Sequence, residues 1–77
     1  MTQHEWRDNF SSNLIDILKE KGMSQAELAI GAGLSRGRIS EYVNGLATPT
    51  VFAIINMAYA LDMEISDLVD FDERISW

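Results

Sequence analysis

Apolar residues recur along this chain at helical intervals, and nowhere alternate as a strand would. Phe10, Leu14, Ile17 and Leu18 fall at i, i+4, i+7 and i+8, a single helical stripe. That helix is expected to start between Glu5 and Asn9 and to run to about Lys21. Asp16, Lys19, Glu20 and Lys21 take its solvated side, and Gly22 follows as a left-handed stop. Ser24 and Glu27 have the spacing of a capping box, which opens a second helix running to Gly31 or Ala32. Leu28 and Ala29 point inward from it, and the small Ala29 lets the next helix cross closely. Gly33 supplies the left-handed corner, with Leu34 plugging the core beside it.

Ser35 is placed to cap a third helix over residues 36–44. By spacing, Ile39, Tyr42 and Leu46 form its buried line. Arg36, Gly37, Ser40, Glu41 and Asn44 share the outward side, and Arg38 lies near its margin. Asn44 and Gly45 end it in a left-handed turn. Pro49 blocks continuation, and Thr50 can cap a fourth helix over about residues 51–61. Val51, Ile54, Ile55, Met57, Ala58 and Leu61 make that helix apolar on more than one side, as suits the centre of a small bundle. Ser66 is expected to cap a short fifth helix through Leu68 and Val69. The expected fold class is therefore all-α, a compact five-helix bundle, with residues 1–77 as one domain.

The chain's 77 residues limit how much surface folding can bury, about 60% at this size, so a partner subunit would help its stability. It has no cysteine, hence no disulfide and no thiolate metal site. No apolar leader opens it and no run reaches the roughly 18 apolar residues of a membrane span, so a cytoplasmic location is expected. The net charge of −6 would repel nucleic acid if it were spread evenly. It is not: residues 1–61 carry six acids and five bases, whereas residues 62–77 carry six acids and one base. The acidity belongs to the C-terminal end, which must point away from any phosphate backbone.

Enzyme chemistry finds little to work with. His4 is the only histidine and lies near the start, so Ser11, Ser12 and Ser24 have no base to activate them. Residues 70–73, Asp-Phe-Asp-Glu, lack the glycine and remaining ligands of a calcium loop. Gly31-Ala32-Gly33 follows a helix and not a strand, which argues against a phosphate-cradling loop. No catalytic residue, metal, cofactor or small-molecule ligand is expected.

Ser24-Gln25, Leu28-Ala29, Gly33, Leu34-Ser35, Ile39, Asn44-Gly45, Pro49, Leu61-Asp62 and Ser66-Asp67-Leu68 form an ordered set at characteristic spacing. With them the chain resembles the lambda-repressor-like helix-turn-helix regulators, which include phage repressors, Cro-type proteins and controller proteins of restriction–modification systems. The resemblance runs from the first helix to Leu68, and residues 23–45 would be the helix-turn-helix. It implies a bundle of four or five helices whose third helix lies in the major groove of double-stranded DNA. It also implies a homodimer on two half-sites about one helical turn apart. Arg36, Gly37, Ser40 and Glu41 would then lie over base edges, with Arg38 within reach of base or phosphate. Gln25 would contact a phosphate and brace the start of the recognition helix, and Asn44 and Thr48 would meet the backbone.

The chemistry of that face leaves several roles open. Arg36 can take the O6 and N7 of a guanine together, or touch only a phosphate. Gly37 either lets the helix backbone approach DNA closely or is a glycine tolerated in the first turn, where it costs about 1 kcal/mol relative to alanine. Glu41 can accept from a cytosine amino group, or merely orient Arg38 three residues earlier. Lys19 and Lys21 either touch flanking phosphate or end a solvated helix. Tyr42, Met57 and Met63 read as core.

Leu68, Phe71, Ile75 and Trp77 form an apolar edge rimmed with acids, and residues 66–77 are the expected dimerisation tail. The alternative is that Phe71 and Trp77 fold back near Trp6 and Phe10. The function these features favour is a repressor acting on an operator. A protein-interaction module on the same fold, such as an antitoxin-like or adaptor protein, is the rival.

Overall fold

A computed structural model describes residues 2–69, and the described residues form five helices and no strand. They are α1 (Gln3–Lys21), α2 (Gln25–Ala32), α3 (Arg36–Val43), α4 (Val51–Ala60) and α5 (Ile65–Leu68). Local chemistry sets the boundaries. Ser24, Ser35 and Thr50 each cap a helix by accepting from a backbone N–H three residues on, at Glu27, Arg38 and Ala53. At Ser24 the Glu27 carboxylate returns the bond to the cap N–H, completing the box.

Helix ends repeat one device. Gly22, Gly33 and Gly45 adopt left-handed φ of 61°, 66° and 68°. The N–H after each reaches back to a carbonyl of the preceding turn, Met23 to Leu18, Leu34 to Ala29 and Leu46 to Glu41. α4 ends the same way, with Met63 bonded to Ala58, but the left-handed residue is Asp62 at φ 54°. An aspartate there strains the backbone and puts a negative charge at the negative end of the helix dipole. Asp62→Gly is expected to raise the unfolding free energy by about 0.5–1 kcal/mol. A later urea midpoint at unchanged slope would register the gain.

The core is one cluster built around Phe10, Leu14, Leu28, Ile39, Met57, Leu61 and Leu68, all fully buried. α2 packs on both α3 and α4, while α1 braces α3 and α5. α2 and α4 meet closely where Gly31 lies, because a Cβ there would sit 3.1 Å from that of Ala60. Trp6 stacks on Phe10 with ring centroids 5.2 Å apart.

Several expectations are corrected. α1 begins at Gln3, because Thr2 and Glu5 form a capping box ahead of the expected start. Glu64, not Ser66, occupies the cap position of α5 and makes no side-chain cap bond. Leu46 is 69% exposed, because the left-handed turn at Gly45 carries it off the buried line of α3. Val51 and Ile55 are exposed as well, since the monomer covers only one side of α4. Leu68 is sealed in the core and is not on a surface edge. Phe71, Ile75 and Trp77 lie outside the described residues, as does the segment 70–73.

Candidate nucleic-acid interface

The surface that matters begins with how α3 is held. Ile39 and Tyr42 anchor its inner side in the core. Its C-terminal carbonyls, which no helix can satisfy internally, are met by α1. Ser11 donates its hydroxyl to the Val43 carbonyl, and Arg7 Nη1 donates to the Leu46 carbonyl at 3.4 Å. Gln3 Nε2 donates to the Thr48 hydroxyl oxygen at 3.0 Å. Gln3, Arg7 and Ser11 stand at i, i+4 and i+8, so one polar stripe of α1 fastens the end of α3 and the loop behind it. A Cβ at Gly45 would come within 3.2 Å of Asp8 Oδ1, so α1 also approaches the backbone closely there. Asn13 does the same service for α5 by donating to the Leu68 carbonyl.

Those contacts turn the other side of α3 to solvent. Arg36, Gly37, Arg38 and Glu41 are exposed, and Ser40 is half-buried. Among the described residues neither arginine nor Glu41 has a side-chain hydrogen-bond partner, and the ion pair by which Glu41 would orient Arg38 does not form. Among the described residues the one ion pair is His4 with Asp8, at 3.5 Å on α1. The charged groups of α3 are thus uncommitted within the fold. Gly37 has open space around it: an added Cβ would meet only Ser35 Oγ, at 3.9 Å.

Asn44 and Ser40 are partly engaged. The Asn44 amide donates to the Ser40 carbonyl at 2.7 Å and to its hydroxyl at 3.3 Å, closing the end of α3. Asn44 keeps only its side-chain oxygen free, which phosphate cannot use, and its main-chain N–H is bonded to the Ser40 carbonyl, so the expected backbone contact falls to a rearranged side chain. Thr48 accepts from Gln3 and keeps its hydroxyl hydrogen to donate. Gln25 is exposed at the first position of α2 and makes no bond to the start of α3, so the expected brace to Arg36 is absent.

An open groove of about 480 Å³ runs between the end of α1, the start of α2 and the end of α3. Leu18, Met23 and Val43 form part of its floor, and Lys19, Gln25 and Glu27 stand along it. This puts Lys19 on the same side as Gln25, a pairing that sequence spacing does not reveal. Gln3, Arg7 and Ser11 are further residues that sequence reasoning left without a role. Their signal was present as a polar row beside the apolar stripe of α1, but the row says nothing about what it faces.

An exposed two-turn helix set against a second short helix through a glycine corner matches a known pattern, and the helix-turn-helix family model matches residues 14–68. The chain belongs to the helix-turn-helix family. Among curated proteins it is 31% identical over 65 residues to an uncharacterized HTH-type transcriptional regulator, y4dJ of Sinorhizobium fredii, covering 84% of each chain. Among solved structures it is similar to the restriction–modification controller protein C.AhdI from Aeromonas hydrophila, with TM-score 0.75 and 32% identity. That likeness covers 78% of this chain and 91% of the other. The chain is accordingly a helix-turn-helix DNA-binding regulator. No helix of the described residues is long and apolar enough to cross a membrane.

Proposed function

We propose that this regulator binds a specific operator in double-stranded DNA as a homodimer and represses transcription there, working in the cytoplasm without a cofactor or small-molecule ligand. The observation that carries the reading is the outer face of α3: Arg36, Gly37, Arg38 and Glu41 are exposed and unpartnered on a helix whose other side is locked to the core and to α1. Such a face can enter the major groove without breaking any bond of the fold. Arg36, at the N-terminal end, is the base reader, forking onto a guanine. Arg38 and Glu41 read or reject neighbouring positions, and Ser40 is limited to a short-range contact. Gln25, the Thr48 hydroxyl and the α3 end at Asn44 face the phosphates, with Lys19 beside Gln25.

Selection of bound duplexes from a random library tests this directly. A two-half-site consensus with centres about one helical turn, 34–36 Å, apart is the expected product. A chain that uses the fold only to contact another protein would enrich nothing. The exposed apolar side of α4 is the one observation favouring that second reading.

Gly37 permits a sharper test. Alanine there meets open space and improves helix propensity, so Gly37→Ala is expected to raise stability by up to about 1 kcal/mol. If the glycine exists to let DNA come close, the same substitution weakens operator binding. Thermal melting and operator titration should therefore move in opposite directions. Unchanged binding would mark Gly37 as merely tolerated.

A further inference from the structure

α4 is ten residues long and contains no charged residue. Its inner side, Ala53, Met57 and Ala58, is buried. Its outer side is equally apolar: Val51, Phe52, Ile55 and Tyr59 are 73%, 71%, 45% and 86% exposed. Positions i, i+4 and i+8 with i+1 span about 100° of the helix surface, so the four form one continuous stripe. A helix apolar on both its inner and its outer side belongs in an interior, and here the monomer supplies only half of that interior.

We infer that this stripe of α4 is the face through which two copies of the chain pair, not the C-terminal edge. The occupant is argued from charge and area. The chain carries a net charge of −6, so copies repel wherever their carboxylates meet. A twofold contact sets each patch against itself, and α4 offers a patch with no charge to oppose its own image. Two aromatic side chains of roughly 150–250 Å² each, with Val51 and Ile55, reach more than half of the roughly 800 Å² per partner that a stable interface covers. The expected edge is weakened from the other side, because Leu68 is sealed inside the monomer.

Placement also suits the function. The exposed stripe of α4 shares no residue with the exposed face of α3, so pairing through α4 uses none of the reading residues. Residues 44–50 then join the reading helix of each copy directly to the pairing helix. This last point rests on the proposed DNA role, whereas the pairing itself does not.

Sedimentation of the full chain over a concentration series tests the inference. The expected result is a species of two chains, with Tyr59→Glu and Ile55→Asp each raising its dissociation constant at least roughly thirtyfold, as loss of an interface anchor does. Both side chains reach solvent, so far-UV circular dichroism of the variants should stay helical. Phe52→Lys is a third variant should either of the first two lose its helix signal. On DNA, the variants should lose affinity for a two-half-site duplex and keep it for a single half-site. A wild-type chain that stays monomeric throughout would overturn the inference, as would a pair that survives these substitutions but dissolves on Phe71→Asp. Pairing through α4 without any DNA binding would uphold the inference and end the operator reading instead.

Discussion

Arg36→Ala is expected to weaken binding to the selected operator by about 1–3 kcal/mol for each half-site that loses a bidentate guanine contact. In a homodimer both half-sites lose it together. The same variant should bind random duplex nearly as well as the parent chain, because loss of one phosphate-range cation is a small and sequence-independent effect. Stability should not change, since the guanidinium is exposed and makes no bond within the fold. Titration of both duplexes at fixed salt checks this, with a melt as control. Equal losses on operator and random DNA would reduce Arg36 to a phosphate contact and move base reading to Arg38 and Glu41.

Leu28→Ala should act through the fold and not through the DNA. Leu28 is fully buried on α2, the helix that packs on both α3 and α4. Emptying that site removes about 2–5 kcal/mol by lost transfer and residual cavity. A domain this small has little of the roughly 5–15 kcal/mol available to natural folds, so the variant sits near its unfolding threshold. Its melting temperature should fall on the order of 10 °C or more. Operator binding should then fail in step with the loss of helix signal and recover at low temperature. Leu28→Met, which nearly conserves volume, should cost less than about 1.5 kcal/mol. A Leu28→Ala chain as stable as its parent would mean that α2 does not join α3 to α4 as described.

What could be read from sequence, and what could not, divides by the range of the forces involved. Caps at Ser24, Ser35 and Thr50 and stops at Gly22, Gly33 and Gly45 involve groups three to five residues apart, so local pattern suffices. Membership of the α3 outer face followed from the 3.6-residue period alone. The period could not say whether an apolar face has a partner, so Val51 and Ile55 were placed inside when the monomer leaves them outside. Leu46 failed for a different reason: the helical phase does not survive a left-handed residue. Asp62 hid a stop that glycine would have announced. At the site, the Asn44 amide is held by Ser40, and the Thr48 hydroxyl accepts from Gln3. The first bond is a rotamer choice and the second spans 45 positions, and neither leaves a mark in spacing. Arg38 and Glu41 have the interval of an ion pair, yet both side chains remain in solvent where such a pair gains little.

The central claim is that α3 reads DNA sequence as well as phosphate. Titrating the selected duplex and a random duplex across a series of salt concentrations tests it most directly. Both affinities should fall as salt rises, with the selected duplex bound at least about a thousandfold more tightly at physiological salt. Equal affinity for the two duplexes, or binding that salt does not weaken, would contradict it.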